Sequence, residues 1–133
     1  MQRNAYKGAP ERAWFEVQLV ALDGTTFDCD VLADTGNPFA IILDVARLRQ
    51  FKQLDAPPLT SNFGVLEGGW LQVRIPATGV DQLVLGYGSD AVAATCRRST
   101  PDFEGLAGLP LLRLVEYGGD AAAFWVRAAS VSP

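Results

Sequence analysis

The sequence contains no histidine and only two cysteines, Cys29 and Cys96. The absence of histidine excludes Ser-His and Cys-His nucleophilic systems and most catalytic zinc sites. Two thiols are too few for a disulfide framework or for a four-thiolate metal site. We therefore expect no metal and no other cofactor. Both cysteines fall in predicted strands, where we interpret them as small buried thiols, and a disulfide between neighbouring strands is the open alternative.

Positive charge and long hydrophobic runs are also scarce. The formal net charge is -4 and the sequence pI is about 4.7, with Arg97-Arg98 as the only adjacent basic pair. Nucleic-acid binding depends on Lys and Arg that neutralise phosphates, so we predict no nucleic-acid partner. The longest apolar runs, such as residues 39–43, are far too short to span a bilayer, and residues 1–12 lack the apolar stretch of a secretory signal. We expect a cytoplasmic protein without a membrane partner.

What remains is a chain of 133 residues, 49% of them hydrophobic. This length suffices for one domain with a buried core. We predict a flexible N-terminal arm over residues 1–12 and a single domain over residues 13–133. Within that domain, residues 14–22 and 25–33 alternate apolar and polar side chains, as half-buried strands do.

Further short strands follow along the chain, and residues 91–96 are interpreted as one of them. Between strands, residues 45–51 predict a brief helix that Asp44 caps. Many short strands at close spacing, with one or two short helices, indicate an all-β, barrel-like fold.

The tripeptide Asp34-Thr35-Gly36 follows the apolar run 31–33 at the end of a predicted strand. A strand that delivers an aspartate into a tight turn holds the carboxylate at a fixed, partly buried point, as acid–base chemistry on a peptide bond requires. Taken alone, the tripeptide is equally typical of an ordinary turn in which Asp34 bonds its own backbone. The sequence contains it once, so a mechanism that needs two such carboxylates must take the second from another copy of the chain.

Two later segments follow this turn in a definite order. Three glycines interrupt residues 61–70, which predicts a hairpin whose tip is mobile or closely approached by another group. The apolar run Leu106-Ala107-Gly108-Leu109 comes near the C-terminus. In this order, residues 31–36, 63–70 and 106–109 resemble the retropepsin-like aspartic proteases, the family of the retroviral proteases and their cellular and bacterial relatives. The resemblance implies a closed β-barrel-like acid-protease fold over most of the chain.

The resemblance also implies roles for individual residues. Asp34 would be the catalytic carboxylate, and Thr35 would join a hydrogen-bond network between the two turns of a dimer. Gly36 would direct an amide at the carboxylate. Asn37 would lie beside the carboxylate among the substrate-binding residues, where this family usually has Ser, Thr or Ala. The other substrate-binding residues would belong to a flap that closes over a bound peptide: Phe63, Gly64, Gly68, Gly69 and Trp70.

The function that the resemblance implies is an aspartic endopeptidase that acts as a homodimer on peptide or protein substrates. One Asp34 per subunit would activate a water for hydrolysis. Asn37, a flap segment without tyrosine, and Leu109-Pro110 in place of the basic residue of viral members depart from the family's pattern. These departures leave open the alternative of a catalytically inactive retropepsin-like domain that binds peptides or dimerises. An unrelated β-barrel binding module is the third hypothesis.

Overall fold

The computed structural model describes residues 1–130, which form ten strands and three short helices. In chain order the elements are β1 (Gln2–Ala5), β2 (Trp14–Val20), β3 (Thr26–Asp34), β4 (Ile41–Leu43), α1 (Val45–Phe51), β5 (Leu54–Ser61), β6 (Gly64–Ile75), β7 (Val80–Gly88), α2 (Asp90–Arg97), β8 (Phe103–Gly108), α3 (Leu109–Leu112), β9 (Val115–Gly119) and β10 (Ala123–Ala128). Residues 131–133 of the predicted domain 13–133 lie outside the described residues. None of these three helices has the length and apolar character needed to cross a lipid bilayer.

Six strands close into a barrel in the order β2-β3-β8-β4-β7-β6, because the long strand β6 pairs with β2 as well as with β7. β5 lies outside this barrel and pairs with β6 as a hairpin. A second sheet has the order β1-β10-β9. The prediction of an all-β, closed barrel with few short helices is therefore confirmed.

The barrel closes around side chains that the strand alternation directs inward. The residues of β2 and β3 that point into it are buried: Phe15, Val17, Leu19, Cys29 and Val31. Complete burial of a large apolar side chain contributes about 1.5–3 kcal/mol, so these alternate positions fix the register of both strands. The opposite face of β3 then carries Leu32 and Asp34 toward the surface.

The helix predicted over residues 45–51 is α1, with the predicted bounds. Asp44 caps it, since Arg47 N donates to Asp44 Oδ1 at 2.6 Å. Leu48 and Phe51 are buried on its inner side. A capping hydrogen bond of this kind contributes about 1 kcal/mol, and here the local signal was sufficient to predict the element.

The strand predicted over residues 91–96 is wrong: these residues belong to the helix α2. Ser89 begins the helix, and its side chain accepts a hydrogen bond from Val92 N at 3.2 Å. Val92, Ala93 and Cys96 are buried, which is the spacing of one helical face. Cys96 therefore lies in a helix, and both cysteines are free, buried thiols without a disulfide.

The first residues of the chain are bound to the rest of the protein. β1 pairs along its whole length with β10. Gln2 Nε2 donates to the carbonyl oxygens of Glu16 at 2.9 Å and Pro76 at 3.0 Å. The division of the chain into an arm and a domain stays a prediction. β1 itself is paired and is not a loose segment.

Candidate active site

The turn after β3, Asp34-Thr35-Gly36, is called the carboxylate turn below. Asp34 is the last residue of β3 and lies beside Gly108 of β8 in a parallel pairing. Gly36 N donates to Asp34 Oδ1 at 3.1 Å, and Asn37 N donates to the Asp34 carbonyl oxygen at 3.1 Å. The first bond is the one that an ordinary Asx turn makes, and it also holds the carboxylate in one orientation. The turn is thus compatible with both interpretations of the sequence.

A crossing of chain segments fixes the backbone beyond this turn. β8 lies between β3 and β4, so the residues that join these two strands wrap around its end. Gly108 N donates to Ala40 O and Leu109 N donates to Asn37 O, both at 3.0 Å. A Cβ on Gly108 would overlap the carbonyl oxygen of Phe39 and would lie 2.5 Å from that of Asn37. Gly108 therefore permits the close approach of these segments.

The carboxylate turn lies at the surface of the single chain. All three of its residues are exposed, and the Thr35 hydroxyl makes no hydrogen bond within residues 1–130. A groove of about 310 Å³ runs beside the turn and is lined by Thr35, Gly36, Asn37, Pro38, Leu109, Pro110 and Arg113. The hydroxyl is therefore available to another molecule.

A second cavity, of about 380 Å³ and called the Asp34 cleft below, is lined by Asp34 of the turn and by Asn37. Its walls come from the N-terminal loop, β3, the β5–β6 hairpin, α2 and β8. They comprise Arg12, Ala13, Leu32, Ala33, Asp34, Asn37, Phe63, Val92, Thr95, Cys96, Ser99 and Leu106. Among residues 1–130, Asp34 is the one acidic residue of this lining and Arg12 is the one basic residue. The cleft is thus a mainly apolar space with one carboxylate and one guanidinium.

The tip of the β5–β6 hairpin reaches the Asp34 cleft. Phe63 lines the cleft and is 57% exposed. Ser61 Oγ accepts a hydrogen bond from Phe63 N at 3.1 Å and donates to Gly64 O at 3.0 Å. Gly64 follows the two-residue turn with φ at +89°, a conformation that glycine adopts without steric cost. The structure thus brings the predicted flap tip to the same cleft as Asp34.

The other residues of the predicted flap lie away from the Asp34 cleft. Gly68 and Gly69 are in the part of β6 that pairs with both β5 and β7, and a Cβ on Gly69 would meet Lys52 at the end of α1. Trp70 lines a separate groove of about 440 Å³. The structure therefore does not bring these three residues to Asp34.

Asn37 lies beside the carboxylate, as expected, and its side chain stabilises the backbone. Asn37 Oδ1 accepts a hydrogen bond from Phe39 N at 2.9 Å. The residue lines both the Asp34 cleft and the groove next to the carboxylate turn. Within residues 1–130, the Asn37 amide makes no hydrogen bond with the Asp34 side chain, so it does not use a hydrogen-bond position of that carboxylate.

Two walls of the Asp34 cleft were not expected from the sequence. One is formed by Arg12 and Ala13, where the predicted flexible arm meets the domain. The other consists of α2 and the residues after it, namely Val92, Thr95, Cys96 and Ser99. The Ser89 cap and the helical spacing of Val92 and Cys96 could have revealed the second wall. No local signal in the sequence marks the first.

Cys96 brings a thiol into the α2 wall. Its side chain is 2% exposed. Burial raises its pKa to about 11; the positive charge of Arg97 acts in the opposite direction, and the negative charge of Asp34 adds to the rise. A thiol with such a pKa is protonated at neutral pH and is a poor nucleophile. Cys96 therefore contributes to the wall as a small apolar group.

Comparison with known proteins gives a structural likeness without a sequence match. No protein-family model and no curated protein matches the sequence. Among solved structures, the chain is similar to EIAV protease complexed with the inhibitor HBY-793. The likeness covers 77% of this chain and 86% of that chain, at 15% sequence identity and a TM-score of 0.47. The chemistry of the site rests on the residues described above.

Proposed function

We propose that the chain is an aspartic endopeptidase that acts as a homodimer, with one Asp34 from each subunit. The position of Asp34 carries this proposal. Its carboxylate ends β3 at the Asp34 cleft, which the Phe63 hairpin tip also lines, and it is the one acidic lining residue within residues 1–130. A carboxylate held at a fixed point in a largely apolar cleft is what proton transfer to and from a peptide group needs.

The reaction requires two carboxylates in different protonation states. Two Asp34 side chains a few ångström apart would share one proton, since like charges at that distance do not both ionise readily. The ionised carboxylate would take a proton from a water held between the two. The protonated one would donate to the carbonyl oxygen of the scissile peptide, and the tetrahedral intermediate would collapse as the leaving amine is protonated. One cleft alone is therefore incomplete.

The surface around the carboxylate turn supports a second copy as the source of the other carboxylate. The turn is exposed, its residues are small, and the Thr35 hydroxyl is unused within residues 1–130. Two such turns could approach closely and exchange hydrogen bonds through Thr35. An obligate interface of this kind buries roughly 2,000 Å² or more, so we expect a dimer in solution.

The walls of the Asp34 cleft support an apolar peptide as the proposed substrate. Leu32, Val92 and Leu106 supply apolar surface, and Phe63 on the hairpin tip provides an apolar cover. A closing hairpin excludes bulk water and positions the bound chain. We therefore expect extended peptides or unfolded protein segments with apolar side chains next to the scissile bond.

The test compares Asp34→Asn with the wild type on a peptide library. The asparagine amide keeps an oxygen that can accept the hydrogen bond from Gly36 N, but the amide cannot act as an acid or a base. The cleavage rate should therefore fall by roughly 10²–10⁴-fold. The thermal midpoint should stay the same. Asp28→Asn is the matched control, since Asp28 lies on the same strand, accepts a hydrogen bond from Gln18 Nε2 at 2.9 Å and is outside the cleft.

Each outcome has a definite meaning. Wild-type cleavage rates in Asp34→Asn would show that Asp34 is not the acid–base residue. A wild-type protein that is dimeric and binds library peptides without cleaving any of them would instead be the inactive, peptide-binding form. Equal losses in Asp34→Asn and Asp28→Asn would indicate a general effect of charge removal from β3.

A further inference from the structure

We propose that Arg12 selects substrates with an acidic side chain close to the scissile bond, an inference that rests on the proposed peptidase function. Arg12 is the one basic residue that lines the Asp34 cleft within residues 1–130. Its guanidinium makes no ion pair and no side-chain hydrogen bond with those residues. Most other arginines of the chain are bound to carboxylates: Arg3, Arg49, Arg74, Arg97 and Arg127. Arg12 is thus a cleft-lining arginine whose guanidinium has no ion-pair partner among residues 1–130.

The loop that carries Arg12 has a defined conformation. Arg12 N donates to Lys7 O at 2.9 Å and Lys7 N donates to Arg12 O at 3.3 Å, which closes the loop into an antiparallel bridge. Lys7 Nζ binds Asp30 Oδ2 at 2.7 Å and lies 3.7 Å from the centre of the Trp14 ring. The base of the loop is therefore anchored to β2 and β3.

Two further hydrogen bonds attach this loop to the other walls of the cleft. Ala33 N, next to the carboxylate turn, donates to Ala13 O at 3.0 Å. Ala9 N donates to Ser99 O at 3.2 Å, which joins the loop to the residues after α2. The backbone at Arg12 is thus fixed at the cleft, while its side chain is exposed and can meet a ligand.

The charges of a dimeric site favour an anionic side chain there. Two Asp34 carboxylates that share one proton carry a charge of about -1. Two Arg12 guanidiniums add about +2, so the site has a net charge of about +1 in a protein whose chains are each at -4. A guanidinium binds a carboxylate with two parallel hydrogen bonds, which gives direction as well as attraction. An aspartate or glutamate side chain of the substrate fits this chemistry.

The experiment uses the wild type, Arg12→Glu and a matched control, Arg98→Glu. Arg98 is also exposed and unpaired within residues 1–130, but it lies outside the Asp34 cleft. Cleavage of a library of short peptides with amidated C-termini identifies the preferred position, and amidation ensures that any carboxylate recognised is a side chain. Peptides that differ only by Glu or Gln at that position are then compared by kcat/KM.

We expect wild type and Arg98→Glu to prefer the Glu peptide about fivefold, the range of a partly exposed, well-oriented ion pair. Arg12→Glu should reverse the preference and favour Lys at the same position. Arg12→Lys should retain part of it, because the charge remains and the two-bond geometry is lost. A wild type that cleaves Glu and Gln peptides equally would overturn the inference. So would a dimeric Arg12→Glu that keeps the wild-type preference for the Glu peptide.

Binding measurements separate this inference from the proposed function. Amidated peptide pairs that differ only by Glu or Gln, with the substitution placed at each position in turn, are titrated against Asp34→Asn and against Asp34→Asn combined with Arg12→Glu. Tighter binding of the Glu peptide to the first protein alone supports the role of Arg12 even if the wild type cleaves nothing. Equal binding of both peptides to Asp34→Asn contradicts that role even if the wild type is an active peptidase.

Discussion

Gly108→Ala tests whether the crossing of β8 holds the carboxylate turn in place. The new Cβ would lie 2.5 Å from the carbonyl oxygen of Asn37 and would overlap that of Phe39. An ordinary carbon–oxygen contact needs about 3.3 Å or more. Both obstacles are backbone atoms that cannot rotate away, so residues 37–40 must move by roughly 1 Å.

The cost follows from what that movement breaks. The hydrogen bonds from Gly108 N to Ala40 O and from Leu109 N to Asn37 O are both 3.0 Å long and join the segments that must separate. Each contributes about 1 kcal/mol net, and strain from the inserted methyl group adds about 1–3 kcal/mol. The sum is about 3–5 kcal/mol, a large part of the roughly 5–15 kcal/mol that usually stabilises a domain. The thermal midpoint should fall by about 10–18 °C.

The assay is thermal and urea unfolding of Gly108→Ala beside Gly36→Ala. A Cβ on Gly36 would lie 3.4 Å from Asp34 Oδ1, an ordinary contact distance, so this control should lose at most about 1 kcal/mol. Cleavage of the peptide library should fall in Gly108→Ala even well below its melting temperature, because Asn37 must move and its N–H is bonded to the Asp34 carbonyl oxygen, which shifts the carboxylate turn. A Gly108→Ala protein that melts within about 2 °C of the wild type would refute this account of the crossing.

Two further predictions concern the hairpin tip and the second sheet. Phe63→Ala should raise the KM for peptides about fivefold, since the tip loses roughly 1 kcal/mol of apolar contact. Val65→Ala, on the same hairpin but outside the Asp34 cleft, should leave the KM unchanged. Equal effects of the two substitutions would argue against Phe63 as the cover. Hydrogen bonds from Ser130 and Arg127 lower the pKa of Glu116 from 4.5 to about 2, so its contribution to stability is complete above pH 4.5 and is lost as the pH falls toward 2. The thermal midpoint of the wild type should therefore be higher than that of Glu116→Gln near neutral pH, and the two midpoints should coincide at pH 2. Midpoints that coincide at both pH values would contradict the ion pair's contribution.

The parts of the fold that the sequence predicts are those with local signals. The alternation of β2 and β3 selects Phe15 and Val31 for the core, and Asp44 caps α1 at the predicted residue. The carboxylate turn follows from the end of β3 in the same way. A glycine in an apolar strand commonly marks a nearby backbone, and at Gly108 the structure identifies that backbone as Asn37 and Phe39.

The parts of the fold and of the site that the sequence does not predict depend on tertiary context or on pairing between distant segments. Residues 91–96 form a short apolar run, and such runs do not distinguish a strand from a buried helix unless the cap is recognised; here Ser89 is that cap. β1 pairs with β10 from the other end of the chain, so no nearby residue indicates that the N-terminal segment is bound. The Arg12 wall of the cleft depends on this pairing and on Lys7, which is why it was missed.

The second sheet limits how two copies can bring their Asp34 residues together. β10 is its central strand, with β1 on one side and β9 on the other, so both edges of β10 are already paired within one chain. A second copy could add strands at the outer edges of β1 or β9, or exchange β1 for its own. Exchange would also carry the Arg12 loop to the other subunit, whereas edge pairing would keep it beside its own Asp34. In either arrangement a shared proton requires the two carboxylates to lie a few ångström apart, and the exposed carboxylate turns must therefore form the centre of the interface.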